Sequence, residues 1–246
     1  MLEIENLSKR YGETVALDGA SVAFAAGTVH TIMGENGSGK STLVKLLSGI
    51  VTPDRGAIRV DGTSFSGRGP ADFQARGFAT VFQEVLVAPD RTVTDNVLLG
   101  YDGTARRRMP RSGRRDAARA ALALCSPLAV DLDAEAGHLP LASRQLVVLA
   151  RALVRKPRIL ILDEVTAALD FTDREMVFTL IERLAREGCL ILFISHRMDE
   201  VMRLSHRITI LRSGKVVETL DRADATPELL LARMAPEIVA ERAHHG

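Results

Sequence analysis

Residues 34–42 read GENGSGKST and comprise Gly34, Glu35, Asn36, Gly37, Ser38, Gly39, Lys40, Ser41 and Thr42. The stretch matches G-x-x-x-x-G-K-[ST], the spacing of a loop that wraps around phosphate groups. Its glycines let the backbone turn tightly and bring N–H groups against phosphate oxygens. Lys40 offers a positive charge to the β and γ phosphates, and Ser41 offers a hydroxyl to Mg²⁺. The stretch therefore predicts a site for nucleotide phosphates and Mg²⁺.

The segments on either side of this loop predict the strand and the helix that such a loop requires. Val29–Met33 has the pattern of a buried strand that enters the loop. Lys40–Ser48 carries its leucines on one face, which predicts the helix that leaves the loop, and Gly49 is suited to end it. A chance glycine-rich turn is the alternative, and these two flanking elements disfavour it.

Composition limits the possible classes of protein. The chain has 246 residues, of which 46% are hydrophobic, enough for one large domain or two small ones. Its net charge of +1 gives no overall positive field to attract nucleic acid. The N-terminus lacks the pattern of a signal peptide, and no apolar run approaches a membrane span, so any membrane role is expected to be peripheral. Cys125 and Cys189 are isolated, which predicts reduced, buried thiols in a cytosolic protein.

The first part of the chain has the pattern of an antiparallel sheet. Leu2–Leu7 and Val15–Phe24 alternate apolar and polar residues, as half-buried strands do. Tyr11 and Gly12 form the predicted turn between them, and Ile58–Gly62 is a further short strand. We therefore expect antiparallel β structure beside the strand that leads into the phosphate loop.

The second half alternates strands and helices. Ile159–Leu162 and Leu190–Ile194 are apolar runs, typical of strands buried on both faces of a parallel sheet. Phe78–Glu84 predicts a strand that ends in two polar residues. Thr172–Glu187 predicts a helix that begins with a capping box of its first and fourth residues. This alternation predicts an α/β fold with right-handed crossovers.

Residues from about 85 to 156 read as a helical subdomain inserted between core strands, within a single domain that spans residues 1–246. Gln145–Arg155 is a strong helix pattern there. Arg106–Arg115 is interpreted as a solvated, arginine-rich loop that leads into an alanine-rich helix, Asp116–Leu124. A patch for nucleic acid or lipid is the alternative interpretation, and the absence of interleaved aromatic residues disfavours it.

Several polar residues follow predicted strands, where ligands bind in open α/β sheets. They are Gln83, the pair Asp163 and Glu164, and His196, together with the phosphate loop. If the strands are neighbours, these residues converge on one phosphate site. Asp163 is then suited to support Mg²⁺, and Glu164 to polarise the attacking water. The alternative makes Asp163 a helix cap and Glu164 a surface charge.

With these motifs in this order, the chain resembles the ATP-binding subunits of ATP-binding-cassette (ABC) transporters along essentially its whole length. The resemblance implies a P-loop NTPase core, with a mostly parallel sheet flanked by helices, an N-terminal antiparallel β subdomain and a helical insertion. It implies hydrolysis of ATP, with ATP and Mg²⁺ as cofactors. It assigns adenine stacking to Tyr11, phosphate binding to residues 34–42, catalysis to Glu164, His196 and Gln83, and Mg²⁺ binding to Ser41, Gln83 and Asp163.

Two segments, Thr94–Gly100 and Ile194–Val201, resemble the ATPases of ribose- and galactose-type monosaccharide importers. The resemblance implies uptake of a monosaccharide through a membrane permease, with a solute-binding protein in the complete system. It implies a peripheral position on the cytoplasmic face of the cell membrane, with the permease docked near Gln83–Pro89 and the helical insertion. Ala167–Asp170 resembles the loop that crosses the interface between two cassettes.

The family's signature sequence, LSGGQ, is altered in this chain. Counting back from Ala150–Leu153 places it at residues 139–143, where Pro140 replaces the serine and Ala142 replaces the second glycine. Pro140 has neither a hydroxyl nor an N–H to offer a γ-phosphate, although a proline can open a helix. Ser143 is a less favoured source of a hydroxyl. Val165 also replaces the proline that usually follows the catalytic glutamate.

The altered signature bears on the partner. In the family, each nucleotide lies between one P-loop and the partner's signature, so a homodimer would carry two altered signatures. The chain resembles the first of two fused cassettes, and we expect it to pair with a second cassette that has an intact signature. Two alternatives stay open: a non-transport ABC ATPase that acts on nucleic acid or the ribosome, and an ATP-gated clamp with little turnover. The preferred interpretation has no nucleic-acid partner.

Overall fold

The fold consists of two sheets and the helices that cover them. A computed structural model describes residues 1–65, 67, 69–101, 109–126 and 130–235. Ten strands occur in these residues: β1 (Leu2–Tyr11), β2 (Thr14–Phe24), β3 (Val29–Met33), β4 (Arg55–Val60), β5 (Thr63–Phe65), β6 (Phe78–Val81), β7 (Ile159–Asp163), β8 (Leu190–Ile194), β9 (Arg207–Arg212) and β10 (Lys215–Asp221). The same residues form eight α-helices: α1 (Lys40–Leu47), α2 (Pro70–Ala75), α3 (Val93–Val97), α4 (Arg111–Ala123), α5 (Leu141–Leu153), α6 (Phe171–Arg186), α7 (Met198–Leu204) and α8 (Pro227–Met234).

The first sheet is antiparallel, as the sequence predicts. Its strand order is β2-β1-β4-β5, and each neighbouring pair runs antiparallel. Leu2, Ile4 and Leu7 on β1 are buried, while the residues between them are more exposed. The alternation arises because successive side chains of a strand point to opposite faces, and one face of this sheet packs on the core.

The second sheet has the order β10-β9-β3-β8-β7-β6 and is parallel except for the edge strand β10. Every residue of β3, β7 and β8 is buried. Leu160 and Leu162 face the core that contains helices α5 and α6, and Ile159 and Ile161 face the core that contains α1 and the antiparallel sheet. Since both faces are covered, β8 and residues 159–162 of β7 are continuous apolar runs, whereas β3 also buries His30 and Thr31. The predicted α/β class with an antiparallel β portion is confirmed.

Helices α3, α4 and α5 lie between β6 and β7 in the chain and contact one another. The structure corrects one prediction here, because residues 111–115 belong to helix α4 and are not a loop. Pro110 takes the extended conformation that precedes the helix, and Arg114 and Arg115 form ion pairs with Asp95 and Asp133. Residues 106–108 of the arginine-rich segment lie outside the described residues.

The start of α6 differs from the predicted capping box. The helix begins at Phe171, and the side chain of Asp170 accepts a hydrogen bond from the backbone N–H of Asp173 at 2.8 Å. Asp is a stronger N-cap residue than Thr, and the predicted capping box of Thr172 and Glu175 placed the start of the helix two residues too late. Strand β6 also ends at Val81, which leaves Gln83 in the loop that follows.

The sequence also makes predictions about the cysteines and about membrane-spanning segments. Cys125 and Cys189 are buried and free, and burial raises the pKa of their thiols to about 12 and about 11. Within the described ranges, no helix is both long and apolar enough to cross a bilayer.

Candidate functional site

The phosphate loop connects β3 to α1 and depends on its glycines. Gly39 has φ of 108°, and a Cβ at this position would lie 2.5 Å from the carbonyl oxygen of Ala16. A side chain would therefore meet both backbone strain and a clash. The hydroxyl of Ser38 is buried, with no hydrogen-bond partner among the described residues. Ser38 is not one of the residues that line the cleft beside this loop.

Lys40 folds back over the loop that precedes it. Its Nζ donates hydrogen bonds to the carbonyl oxygens of Gly34 at 2.7 Å and Glu35 at 2.9 Å. Burial lowers the pKa of this ammonium, whereas the nearby carboxylates, Glu164 first and Asp163 second, act to raise it. The positive charge is thus held at the mouth of the loop, where it can exchange carbonyl oxygens for phosphate oxygens.

Asp163 and Glu164 stand at the carboxyl end of β7. Asp163 is buried, and desolvation raises the pKa of its carboxyl to about 6, with a contribution from Glu164 and an opposing one from Lys40. Glu164 has φ of 50°, a left-handed conformation that is uncommon for a residue with a side chain. Its N–H donates to the carbonyl oxygen of Ile194 on β8 at 3.0 Å. Backbone strain of this kind concentrates at functional sites.

Three segments meet at the carboxylate of Glu164. Gln83 donates from Nε2 to Glu164 Oε2 at 2.8 Å, and His196 Nδ1 lies 3.1 Å from Glu164 Oε1. These residues follow β6, β7 and β8, which are adjacent in the parallel sheet. The carboxyl ends of adjacent parallel strands lie at the same edge, so residues distant in the chain come into contact there.

Apart from Ser38, these loop and strand-end residues border one cleft of about 820 Å³. Its lining comprises Thr14, Val15, Ala16, Gly34, Glu35, Asn36, Gly37, Gly39, Lys40, Ser41, Thr42, Gln83, Asp163, Glu164, His196 and Met234. The predicted convergence of the loop and the strand ends is therefore present as geometry. Tyr11 ends β1, is 44% exposed, and does not belong to this lining.

The sequence reasoning missed four lining residues. Three of them, Thr14, Val15 and Ala16, come shortly after Tyr11 in the chain. The predicted contact of Tyr11 with adenine could therefore have indicated that these residues lie near the nucleotide. Met234 ends α8, far along the chain from the loop, and no motif marks it. Its position depends on the packing of α8 against β9, which a local pattern does not report.

The cleft offers donors that fit Mg²⁺. Ser41 contributes a hydroxyl, and Asp163 a carboxylate. Gln83 gives its amide nitrogen to Glu164, so its carbonyl oxygen remains the donor for a cation. Mg²⁺ prefers a small number of such oxygen ligands, completed by water and substrate phosphates. Among the described residues, no group of three or more His, Cys, Asp or Glu side chains could hold a metal ion.

Pro140 is the N-cap of α5, with φ of −56° and ψ of 155°, and the helix runs from Leu141. The helix therefore starts four residues before the predicted Gln145, because the proline opens it. Arg144 donates to the carbonyl oxygens of Leu139 at 2.8 Å and Gly137 at 2.6 Å. Leu141 is 56% exposed. The predicted position of the signature, residues 139–143, therefore coincides with the start of α5, where Leu141 is exposed.

Comparison with known proteins gives one consistent family. The sequence profile described as ABC transporter matches residues 17–167. Ribose import ATP-binding protein RbsA 1 of Rhizobium johnstonii is 39% identical over 251 residues, which cover 100% of this chain and 49% of that protein. Arabinose import ATP-binding protein AraG 1 of Burkholderia cenocepacia is 39% identical over 252 residues, with coverage of 100% and 49%. The chain spans about half the length of the curated relatives it matches.

Solved structures agree with the sequence comparisons. A dimeric, post-hydrolysis state of an ATP-binding cassette bound to ADP and Pi has a TM-score of 0.81 at 26% identity, and covers 90% of this chain and 99% of its own. A nucleotide-free cassette from an ABC transporter has a TM-score of 0.80 at 25% identity, with coverage of 98% and 97%. Since the family profile spans most of the chain and the curated relatives align along it, this chain belongs to the ABC transporter family.

Proposed function

We propose that this chain is the ATP-binding and ATP-hydrolysing cassette of an importer, and that it powers uptake of a monosaccharide through a membrane permease. The observation that carries the proposal is the cleft in which the phosphate loop faces Gln83, Glu164 and His196. The relatives named as ribose and arabinose import proteins support the sugar and the direction of transport. In this proposal residues 1–246 form one cassette, with residues of about 85–156 as its helical subdomain.

The nucleotide is held by residues 34–42 and by Tyr11. Backbone N–H groups of the loop and the N-terminus of α1 bind the phosphates, and Lys40 neutralises the β and γ phosphates. Tyr11, whose side chain is exposed, is proposed to stack its ring on adenine. Ser41, Gln83 and Asp163 would hold Mg²⁺, which would supply charge neutralisation to the phosphate oxygens and help to fix their orientation.

Glu164 is the proposed general base. Its carboxylate accepts a proton from the attacking water, whose oxygen forms a bond to the γ-phosphorus. The bond between that phosphorus and the β–γ bridging oxygen breaks, and the products are ADP and inorganic phosphate. His196 donates a hydrogen bond to the γ-phosphate as negative charge develops, and Gln83 orients Glu164 and the water. The two contacts to Glu164 aim its carboxylate before substrate binds.

Glu164→Gln tests this assignment, because it retains the shape of the side chain and removes the base. We expect ATP to bind with unchanged affinity while the hydrolysis rate falls by roughly a hundredfold or more. Phosphate release and equilibrium binding of a fluorescent ATP analogue measure the two quantities. Glu187→Gln, a change of the same type on the exposed end of α6, is the control. Normal turnover in Glu164→Gln would remove Glu164 from the catalytic role.

The sugar is tested in cells that depend on this chain for uptake. Radiolabelled ribose, arabinose and galactose are supplied to cells carrying either the wild type or Glu164→Gln. The proposal expects accumulation of at least one of these sugars in the wild type and its loss in the variant. Equal accumulation of all three sugars in both strains would show that ATP hydrolysis by this chain does not drive their uptake, and would contradict the proposal.

The partner in the proposal is a second cassette with an intact signature, favoured over a second copy of this chain. Pro140 at the N-cap of α5 offers no N–H and no hydroxyl, so two copies would form two deficient sites. A partner with an intact signature would complete the site at this chain's phosphate loop. Ala167–Asp170 would cross that interface.

The permease is proposed to dock beside Gln83–Pro89. Leu86 and Leu99 are 64% and 53% exposed and border a groove of about 360 Å³ between the core and the inserted helices. Exposed apolar side chains around a groove are suited to a protein partner. The cassette would therefore sit peripherally on the cytoplasmic face of the cell membrane, below a permease that receives sugar from a solute-binding protein.

Pro140 also favours a second candidate function, an ATP-gated clamp with little turnover. A clamp would bind ATP and pair with its partner without hydrolysis, in the wild type as in Glu164→Gln. The non-transport function on nucleic acid has weaker support, since Arg114 and Arg115 already pair with acidic side chains. Salt-dependent binding of RNA or DNA to the purified chain would favour it.

A further inference from the structure

Glu200, in helix α7, is a charged residue that is fully shielded from solvent, with 0% exposure. It lies outside the cleft and is not one of the residues that line it. A carboxylate in such a place is strongly destabilising unless it is hydrogen-bonded and paired. Its partners therefore show what the structure gains by keeping it.

Two hydroxyl groups share one oxygen of this carboxylate. Thr166 Oγ1 donates to Glu200 Oε2 at 2.9 Å, and Ser195 Oγ donates to the same Oε2 at 2.8 Å. The other oxygen, Oε1, lies 3.4 Å from Nε of Arg197 and forms an ion pair with it. Thr166 and Ser195 are themselves buried, so these bonds do not compete with water.

Both hydroxyl donors adjoin the proposed reacting residues. Thr166 is two residues after Glu164 and starts the segment that leads into Ala167–Asp170. Ser195 is the residue before His196, and its Oγ also accepts a hydrogen bond from the N–H of Arg197 at 3.1 Å. The hydroxyl of Ser195 thus fixes the backbone on both sides of His196 and connects it to the carboxylate.

We propose that Glu200 is a positioning residue that joins the Glu164–Asp170 segment to the Ser195–Arg197 segment, so that Glu164 and His196 keep one relative position. The inference rests on the proposed function, because it takes Glu164 and His196 as the residues that act on ATP and water. Glu200 touches neither nucleotide nor water. Its effect passes through the two hydroxyl groups, and a movement of either segment is transmitted to the other.

Amide hydrogen exchange of the full chain tests the connection without any need for turnover. In Thr166→Val, we expect the N–H of Arg197 to exchange at least about threefold faster, although the change is in another segment. In Ser195→Ala, we expect the N–H of Leu169, which bonds to the carbonyl oxygen of Thr166 at 3.2 Å, to respond to a similar extent. Thr179→Val removes an exposed hydroxyl that bonds within its own helix, and serves as the matched control. Changes confined to the mutated segment in both variants would overturn the proposal.

Turnover provides the second readout, with the partner cassette present if hydrolysis needs it. Glu200→Gln keeps an oxygen that accepts both hydroxyl groups, whereas Glu200→Leu keeps none. We expect kcat to fall about tenfold or more in Glu200→Leu with little change in KM for ATP, and to recover most of its value in Glu200→Gln. Equal loss in both variants, or a rise of KM in step with the fall of kcat, would contradict a role through positioning.

The two experiments separate the inference from the function on which it rests. A wild type that hydrolyses no ATP with any partner rejects the proposed function, while the exchange data still decide whether Glu200 joins the two segments. If Glu200→Leu does not fold, Thr166→Val and Ser195→Ala carry the test. Thr166→Val removes one hydrogen bond and Ser195→Ala removes two, and each variant leaves the carboxylate with its remaining partners.

Discussion

His196 Nδ1 lies 3.1 Å from Oε1 of Glu164, although 32 positions separate the two residues in the chain. The contact exists because β7 and β8 are parallel neighbours, with Asp163 paired to Ile194 at their carboxyl ends. An imidazole beside a carboxylate can hold it in place before nucleotide arrives and contact the γ-phosphate afterwards. In the proposed mechanism, the pair would connect the state of the nucleotide with the orientation of Glu164.

Replacement of His196 by alanine is expected to impair the chemical step more than binding. The variant loses a hydrogen-bond donor to the developing charge, an effect of roughly a hundredfold or more on kcat. ATP affinity is expected to stay near the wild-type value, because the phosphate loop is unchanged. Phosphate release and equilibrium ATP binding measure the two effects. A loss of affinity as large as the loss of turnover would contradict the assignment.

Lys40→Ala is expected to lose nucleotide affinity. Removal of a charge-assisted hydrogen bond to phosphate should weaken ATP binding by about tenfold to a hundredfold. Lys45→Ala is the matched control, since Lys45 is an exposed lysine in the last turn of the same helix α1. Isothermal titration with ATP gives both values. Equal affinity of the two variants would show that Lys40 does not contact the phosphates.

The altered signature is tested by Pro140→Ser combined with Ala142→Gly. The double variant restores a hydroxyl, an N–H and a glycine at the exposed start of α5. If the chain needs a partner with an intact signature, the wild type alone should hydrolyse very little ATP. The double variant alone should hydrolyse ATP at least about tenfold faster. Light scattering with ATP present measures association. A wild-type homodimer with full activity would contradict the proposed hetero-pair.

The binding of Mg²⁺ is expected to weaken in acid. Because the pKa of Asp163 is raised to about 6, its carboxyl is ionised above that pH and becomes protonated below it. A protonated carboxyl attracts a cation less, so Mg²⁺-dependent ATP binding at pH 5.5 should be about fourfold weaker than at pH 7.5. Mg²⁺ titrations at the two pH values measure this. Asp163→Asn should show weak binding at both, and a pH effect that survives in this variant would assign it to another group.

His30 gives a prediction for stability. Burial, with a smaller contribution from Arg207, lowers the pKa of its imidazole from 6.5 to about 4. Between pH 6.5 and pH 4, His30 is protonated in the unfolded chain but stays neutral in the folded protein. The free energy of unfolding therefore falls as the pH is lowered through this range, by about 3 kcal/mol in total. Above pH 6.5 the effect is absent.

His30→Leu measures that contribution. The replacement removes the titrating group, and Thr209 retains its bond to Thr219 at 2.8 Å. Chemical denaturation at pH 7 and pH 4 gives the free energy of unfolding for both proteins. The wild type should lose more stability than the variant between these pH values. Equal losses of stability in the two proteins would mean that the pKa of His30 in the folded state is not lowered.

The sequence alone determined the elements that depend on short stretches of chain. Val29–Met33 and Leu190–Ile194 are strands with the predicted bounds. Leu190–Ile194 is a continuous apolar run, and Val29–Met33 is a mostly apolar segment directly before the phosphate loop, so the local sequence is sufficient to predict both strands. Motif spacing alone indicated the phosphate loop, and strand ends followed by polar residues indicated Gln83, Glu164 and His196 as one group. The start of α6 was predicted two residues too late because Thr172 and Glu175 match the capping-box pattern, although Asp170 is the stronger N-cap residue.

Tertiary structure alone decided how these residues meet. Several contacts join residues that are distant in the chain. They are the contacts of Glu164 with Gln83 and His196, the hydrogen bonds to one oxygen of Glu200, and the position of Met234 in the cleft. They follow from the strand order β3-β8-β7-β6 and from helix packing, which are set by long-range burial of both faces of the sheet. A short motif specifies a residue type and its local backbone, whereas a distance of 3 Å between two side chains depends on the whole core that places them.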